Sequence, residues 1–251
     1  MGHLVSVIMP TFNSISTVRE SIDSVRRQSY APWELLITDD CSTDGTYEVL
    51  LEIASIDSRI KVYRNENNLG AGVSRNNSIN QASGRFIAFL DSDDLWHKDK
   101  LSKQIDFMLQ GKYALTYTYY RKIDASGNLK GAVHPPKKVN YRTLLKSNVI
   151  GCLTAIYDRE LLNKQFMPAI RKRQDMALWL TILQRIDYAM CLPEELAFYR
   201  EGHISLSSNK LKILSSQWDF YKNYLGFSNL KSLYYFFFYA FNAVKKHGLV
   251  K

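Results

Sequence analysis

Asp91-Ser92-Asp93 stands directly after the apolar run Phe86–Leu90. In an extended segment residues i and i+2 face the same way, so both carboxylates fall on one side. Such a pair suits a hard divalent cation, Mg2+ or Mn2+, which keeps waters and completes its shell with phosphate oxygens. The same residues would also serve as an ordinary solvated turn at a strand end. Asp39-Asp40 closes the neighbouring run Glu34–Thr38. There it either caps the helix that follows or accepts hydrogen bonds from a nucleobase or ribose. Asn67–Asn77, NNLGAGVSRNN, is a candidate phosphate loop; Gly70 and Gly72 equally suit a backbone with positive φ before a helix. Arg75 falls in that helix's first turn, as a partner for a diphosphate or as a solvated surface arginine. Asp175 lies between Arg171-Lys172-Arg173 and an apolar helical face, where the helix dipole alone would stabilise a carboxylate. His203 is a candidate metal ligand or phosphate contact, although a lone histidine is usually neither.

The elements that must carry these residues alternate. Val5–Met9 is a short β-branched run, a buried strand ended by Pro10-Thr11-Phe12-Asn13. Val18, Ile22 and Val25 then make one helical face. The strand Glu34–Thr38, a helix bearing Tyr47, Leu50, Leu51 and Ala54, the strand Ile60–Tyr63, a helix over 72–82 and the strand Phe86–Leu90 continue the pattern. Alternating strands and helices imply a mainly parallel sheet with right-handed crossovers. In such sheets ligands bind beyond the carboxyl ends of the strands, where Thr11/Asn13, Asp39/Asp40 and Asp91/Asp93/Asp94 all fall. After residue 100 the pattern loosens. It predicts a helix over Leu101–Leu109, a strand over Tyr113–Tyr120 and a turn at 124–128. Beyond these come partly helical character over Lys137–Ser147, a strand over Leu153–Tyr157 and a buried helix over Asp175–Ile186.

With 251 residues, 46% apolar and 23% charged, the chain can bury a sizeable core and is no disordered segment. Three scattered cysteines, Cys41, Cys152 and Cys191, make neither a disulfide framework nor a zinc cluster and fit a reducing compartment. The first ten residues carry no basic and apolar leader, so no signal peptide is expected. The net charge of +9 is uneven: residues 1–100 hold 10 Lys/Arg against 14 Asp/Glu, whereas residues 209–251 hold 7 against 1. Nucleic-acid modules place their basic groove in the core fold, which here is acidic, so no nucleic acid is expected. An acidic metal site and a basic tail for an anionic surface fit better.

Taken in order, VSVIMPTFN, QSYAPWELLITDDCSTDGT, NLGAGVSRN, FIAFLDSDDLWHKDKL, RQDMALWL and FYREGHISLS resemble the family 2 glycosyltransferases. The resemblance runs from Val5 to about Ser208. It implies an α/β fold: a GT-A-type, Rossmann-like nucleotide-sugar-binding domain with a mainly parallel central sheet over 1–208. A nucleotide half, about 1–100, would precede an acceptor half, about 101–208, and a basic, aromatic helical tail would follow over 209–251. By the same resemblance Pro10, Thr11 and Phe12 would lie along the base, usually uracil, and Asp40 would bond it. Arg75 and Ser92 would approach the nucleotide, and Asp91 the ribose or the metal's water shell. Asp93 would ligate Mn2+ or Mg2+, with Asp91 and His203 as further candidates. Asp175 matches the catalytic base. Asp94, Trp96 and Trp179 would lie near the sugar or acceptor, and Arg200 with His203 over the diphosphate. The chain departs from the family pattern at Gln174, where Glu is common, at Phe12, where Tyr is frequent, and at Cys41, where Gly is common.

The implied activity is an inverting, metal-dependent transfer of a hexose from UDP-glucose or UDP-galactose to a hydroxyl of a glycan. The expected acceptor is lipid-linked, as in surface-polysaccharide assembly. The tail LYYFFFYAF, followed by lysines, reads either as an amphipathic helix on the inner face of the cell membrane or as a helix packed on the domain. Its apolar run of nine residues is far short of the roughly 20 needed to span a bilayer. A sugar-phosphate nucleotidyltransferase would carry a longer Gly-rich basic loop in place of PTFNS. A non-catalytic sugar-binding domain would be favoured by loss of Asp93 or Asp175, and both are present. A receiver-type regulator would leave half the chain unexplained.

Overall fold

A computed structural model describes residues 2–202 and 210–246. Strand β1 (Val5–Thr11) leads through helix α1 (Val18–Arg26) to β2 (Trp33–Asp39), and α2 (Thr46–Ile56) leads on to β3 (Ile60–Arg64). Helix α3 (Ala71–Gln81) then precedes β4 (Phe86–Phe89). These are the strands and helices the alternation predicts, each within two residues or so of its expected ends. They pair in the order β3-β2-β1-β4, parallel throughout. Strand β1 is central, yet it accommodates Pro10. Its pairing with β4 stops at Ile8, so one edge is open where the proline lacks an N–H.

The second half completes the same sheet. A two-residue strand β5 (Leu95–Trp96) and helix α4 (Lys100–Gly111) precede β6 (Leu115–Ile123), β7 (Leu129–Val133), β8 (Lys138–Val139) and helix α5 (Tyr141–Lys146). After a 3-10 turn over Cys152–Thr154 come β9 (Ile156–Asp158), a single turn α6 (Arg159–Leu162), helix α7 (Gln174–Leu183) and β10 (Ala189–Arg200). Strand β9 enters between β4 and β6 and runs antiparallel to both, so the sheet is parallel at its first half and mixed beyond. The expected strand over Leu153–Tyr157 is therefore shorter and later, because the 3-10 turn takes up its start. The stretch Lys137–Ser147 divides into β8 and α5, with Asn140 capping α5 by accepting from the Thr143 amide at 2.9 Å. Helix α8 (Lys210–Asp219), a π turn over Phe220–Tyr224 and helix α9 (Asn229–Lys246) close the described chain.

Alternate residues of the strands feed two apolar layers, one on each face. Val7, Leu35 and Ala88 meet Val18, Ile22 and Val25 of α1, Leu50 of α2, and Leu101 and Ile105 of α4. Ile8, Leu36 and Phe89 meet Ile79 of α3, Leu144 of α5, and Met176 and Trp179 of α7. Burying each such side chain contributes about 1.5–3 kcal/mol. Polar groups knit the strands as well. The Glu34 carboxylate of β2 accepts from Ser6 Oγ of β1 at 2.7 Å and from the Ser83 amide at 2.8 Å, just before β4.

Candidate active site

The carboxyl ends of β1, β2 and β4 meet the N-terminus of α3 and the first turn of α7. Arg75, one turn into α3, is 7% exposed and donates from Nη2 to Asp91 Oδ1 at 2.5 Å. Burial opposes its charge, but the Asp91 carboxylate, joined by that of Asp175, more than offsets that and raises the guanidinium pKa. Its Nε is buried with no hydrogen-bond partner among the described residues. Arg75, Asp91, Asp175 and Cys152 thus lie within electrostatic reach of one another, although they come from α3, the end of β4, α7 and the 3-10 turn.

Asp175 sits in the first turn of α7, and Asn148 Nδ2 donates to its Oδ2 at 2.9 Å. Helix α7 approaches α3 closely because residue 72 is glycine; a Cβ there would lie 2.7 Å from the Gln174 side chain. Gln174 donates to the Ile170 carbonyl, so it shapes the entry to α7 in place of the acidic residue common in the family. Arg173, in the left-handed region at φ 64°, starts the helix and donates to Tyr239 of α9 at 2.7 Å.

The Asp91–Asp94 turn is braced from several sides. Ser92 is buried, its hydroxyl 2.8 Å from that of Ser14 in the loop after β1. Asp94 is 2% exposed and accepts from the Arg200 amide at 2.9 Å. Burial, then the charges of Asp93 and Asp91, push its carboxyl well above the usual range. Arg200 donates to the Asp93 carbonyl, the Ala125 carbonyl and the Glu20 carboxylate, at 2.9, 3.1 and 2.5 Å. Asp94 and Arg200 are both turned inward and brace the turn. The two tryptophans are turned inward likewise. Trp96 is 4% exposed, with Nε1 bonded to the Leu153 carbonyl, and Trp179 is fully buried edge-on to Phe89. Neither has a face left for a sugar. His203 lies outside the described residues.

At the base end, Phe12 is 46% exposed, a ring available for stacking. Thr11 is buried, and its hydroxyl lacks a partner among the described residues, as does Asp39 Oδ1 opposite it on β2. Asp40 accepts from Asn65 Nδ2 and from the Leu69 and Gly70 amides, at 2.7, 2.9 and 2.7 Å. What is observed for Asp40 is a clamp on the loop that opens α3, with about one of its four acceptor positions left over. Cys41, at φ 65°, keeps a left-handed turn that glycine would adopt more easily.

The three carboxylates of the Asp91–Asp94 turn suit a hard cation only in part. Asp94 is turned inward, which leaves Asp91 and Asp93, and no cluster of three metal-ligating side chains occurs among the described residues. Two carboxylates completed by phosphate oxygens and water match Mg2+ or Mn2+ rather than an all-protein cage. Asn148 was not legible from any motif. Its place follows from the packing of α5 against α7, not from spacing in the chain.

The family model for glycosyl transferase family 2 matches residues 6–166. A putative teichuronic acid biosynthesis glycosyltransferase of Bacillus subtilis, TuaG, is 43% identical over 244 residues, covering 97% of each chain. WfgD of Escherichia coli, a UDP-Glc:α-D-GlcNAc-diphosphoundecaprenol β-1,3-glucosyltransferase, is 43% identical over 247 residues, 98% of this chain and 96% of its own. Among solved structures, S. aureus TarS 1–349 in complex with UDP-GlcNAc matches with a TM-score of 0.70 at 22% identity, over 87% of this chain and 66% of that one. This last likeness is one of fold. The chain is a glycosyltransferase with a GT-A-type architecture. It belongs to glycosyl transferase family 2.

Proposed function

We propose that the chain transfers glucose from UDP-glucose to a hydroxyl of a sugar carried on a polyprenyl diphosphate. The product is a β-glycoside in the assembly of a bacterial surface polysaccharide. The observation that carries this reading is the buried Arg75 paired to Asp91 at 2.5 Å at the carboxyl ends of the strands, with Asp175 within electrostatic reach. The names of TuaG and WfgD support the biological setting, and WfgD supports glucose over galactose and a β-1,3 linkage. Asp175 accepts the proton of the attacking hydroxyl as it approaches the anomeric carbon from the face opposite the leaving group. The buried Arg75 Nε offers a hydrogen bond to a diphosphate oxygen. Phe12 stacks on the uracil, while Pro10, Thr11, Asp40 and Ser92 border the nucleotide. A Mn2+ or Mg2+ ion, held by Asp93 with Asp91 beside it, would neutralise charge gathering on the leaving diphosphate.

The assay uses UDP-glucose or UDP-galactose, a GlcNAc-diphosphate-lipid acceptor, and Mn2+ or EDTA. A β-glucoside formed only from UDP-glucose and abolished by EDTA is expected. Transfer of galactose instead overturns the donor, and full activity in EDTA overturns the metal. Asp175→Asn should lower kcat by about 10²- to 10⁴-fold while UDP still raises the melting temperature. Wild-type turnover in that variant removes Asp175 as the base.

The acceptor's lipid sets a second part of the proposal. Leu230, Leu233, Tyr234, Phe237 and Phe241 of α9 are all exposed, from 51% to 82%, and lie at helical spacings of three and four. No described helix is long and apolar enough to cross a membrane. With 7 Lys/Arg against 1 acid over residues 209–251, this face suits the headgroup boundary of an anionic bilayer on the cytoplasmic side. Binding to phosphatidylglycerol vesicles, weakened by salt and lost in Leu233→Ser/Phe237→Ser/Phe241→Ser, is expected. Equal flotation of that triple variant defeats the idea.

A further inference from the structure

Asn148 occupies the short segment between α5 and the 3-10 turn. Its neighbours fix it from both sides: Leu144, Leu145 and Ile150 are fully buried, and Tyr221 donates to the Leu145 carbonyl while Asn242 of α9 donates to that of Lys146. The side chain reaches Asp175 Oδ2 at 2.9 Å. A carboxylate only accepts, so the amide must present its NH2 group to Asp175 and its carbonyl oxygen the other way. That oxygen, Oδ1, is buried and has no hydrogen-bond partner among the described residues. A buried acceptor left unpaired costs about 1–3 kcal/mol, a cost relieved once a ligand supplies a donor.

We propose that Asn148 is a positioning residue with two hands. Nδ2 holds one oxygen of Asp175, which leaves the other aimed at the attacking hydroxyl, and Oδ1 receives a second hydroxyl of the acceptor sugar. The acceptor is thereby registered against the base by one rigid planar amide. The inference rests on the reading of Asp175 as the base. Asn148 itself exchanges no proton: the proton leaves the acceptor hydroxyl for Asp175, the new glycosidic bond forms at the anomeric carbon, and the bond to the diphosphate breaks.

Steady-state kinetics with UDP-glucose and the GlcNAc-diphosphate-lipid test it in Asn148→Ala, Asp175→Asn and the double variant. In Asn148→Ala, kcat falls by about 10- to 100-fold, the acceptor KM rises severalfold, and the donor KM is unchanged. In the Asp175→Asn background the same change costs nothing further in kcat, because its partner is already gone. Asn148→Asp keeps the shape but either repels Asp175 or shares its proton, and falls at least as far. Wild-type kcat in either single variant, or losses that multiply in the double variant, overturns the proposal. A slow Asp175→Asn beside an unaffected Asn148→Ala leaves the base in place and removes only Asn148. A fully active Asp175→Asn removes both.

Discussion

Arg75 and Arg200 are both buried arginines beside aspartates of the same turn, yet their surroundings give them different work. Arg200 has protein acceptors for Nε, Nη1 and Nη2, whereas Arg75 keeps a buried Nε with none. Arg200→Met should therefore be read in stability. Removing it strands the Asp93 and Ala125 carbonyls, at about 2–3 kcal/mol, and a denaturant melt checks this. Arg75→Lys should be read in turnover and nucleotide affinity, because a point charge cannot replace the planar fork between Asp91 and a diphosphate. Sequence made the two look alike, since both stand near a motif. Burial separates them, and burial is not local in sequence. The same holds for Trp96 and Trp179: an aromatic next to a motif can face the ligand or the core, and only packing decides. Asp91 stands out in the sequence because it follows a buried strand in an α/β pattern, whereas Asp175 stands out only through the family resemblance, its spacing alone suggesting no more than a carboxylate at a helix start.

At the scale of elements, the first hundred residues were legible because each strand is a short apolar run bounded by polar turns. In the second half the helix at 101–109, the strand at 113–120 and the helix at 175–186 were legible too, but β9 was not, because it is three residues long, antiparallel, and preceded by a 3-10 turn that breaks any period. Its docking against β4 and β6 also brings Thr154 over the start of α4, where Lys100 is wholly buried. Lys100 Nζ donates to Gln104 at 2.6 Å and lies 4.6 Å from the centre of the Trp96 ring, with no carboxylate beside it. Burial pushes its amine down from 10.5 to about 7. The unfolded chain therefore binds the extra proton between pH 7 and 10.5, and folding is penalised over that window. The penalty is full below pH 7, on the order of 5 kcal/mol at most, and fades as pH rises toward 10.5. Lys100→Met should melt higher than the parent at pH 7, with the gap closing toward pH 10. A gap that stays constant with pH overturns the account.

For the whole molecule, the charge gradient along the chain becomes a division of labour in space. The acidic half supplies Arg75 and the strand-end aspartates, α7 adds Asp175 from the second half, and the basic, aromatic end forms a helix that packs on α5 and reaches the start of α7 through Tyr239. The tail's helical nature was legible from its composition. Which residues face outward was not, because aromatics occupy every position from 234 to 239, and no polar face marks the register. The packing resolves it: Tyr235 and Phe236 lie on the apolar layer, while Leu233 and Phe237 face out.

The contact between Arg173 and Tyr239 has a practical corollary for anyone handling this chain. Clipping the last helix, or crowding it with a fused tag, unfastens the residue that opens α7, so an inert product would say nothing about where the enzyme resides. Only exchanges confined to the outer stripe, with Tyr239 left intact, separate address from competence.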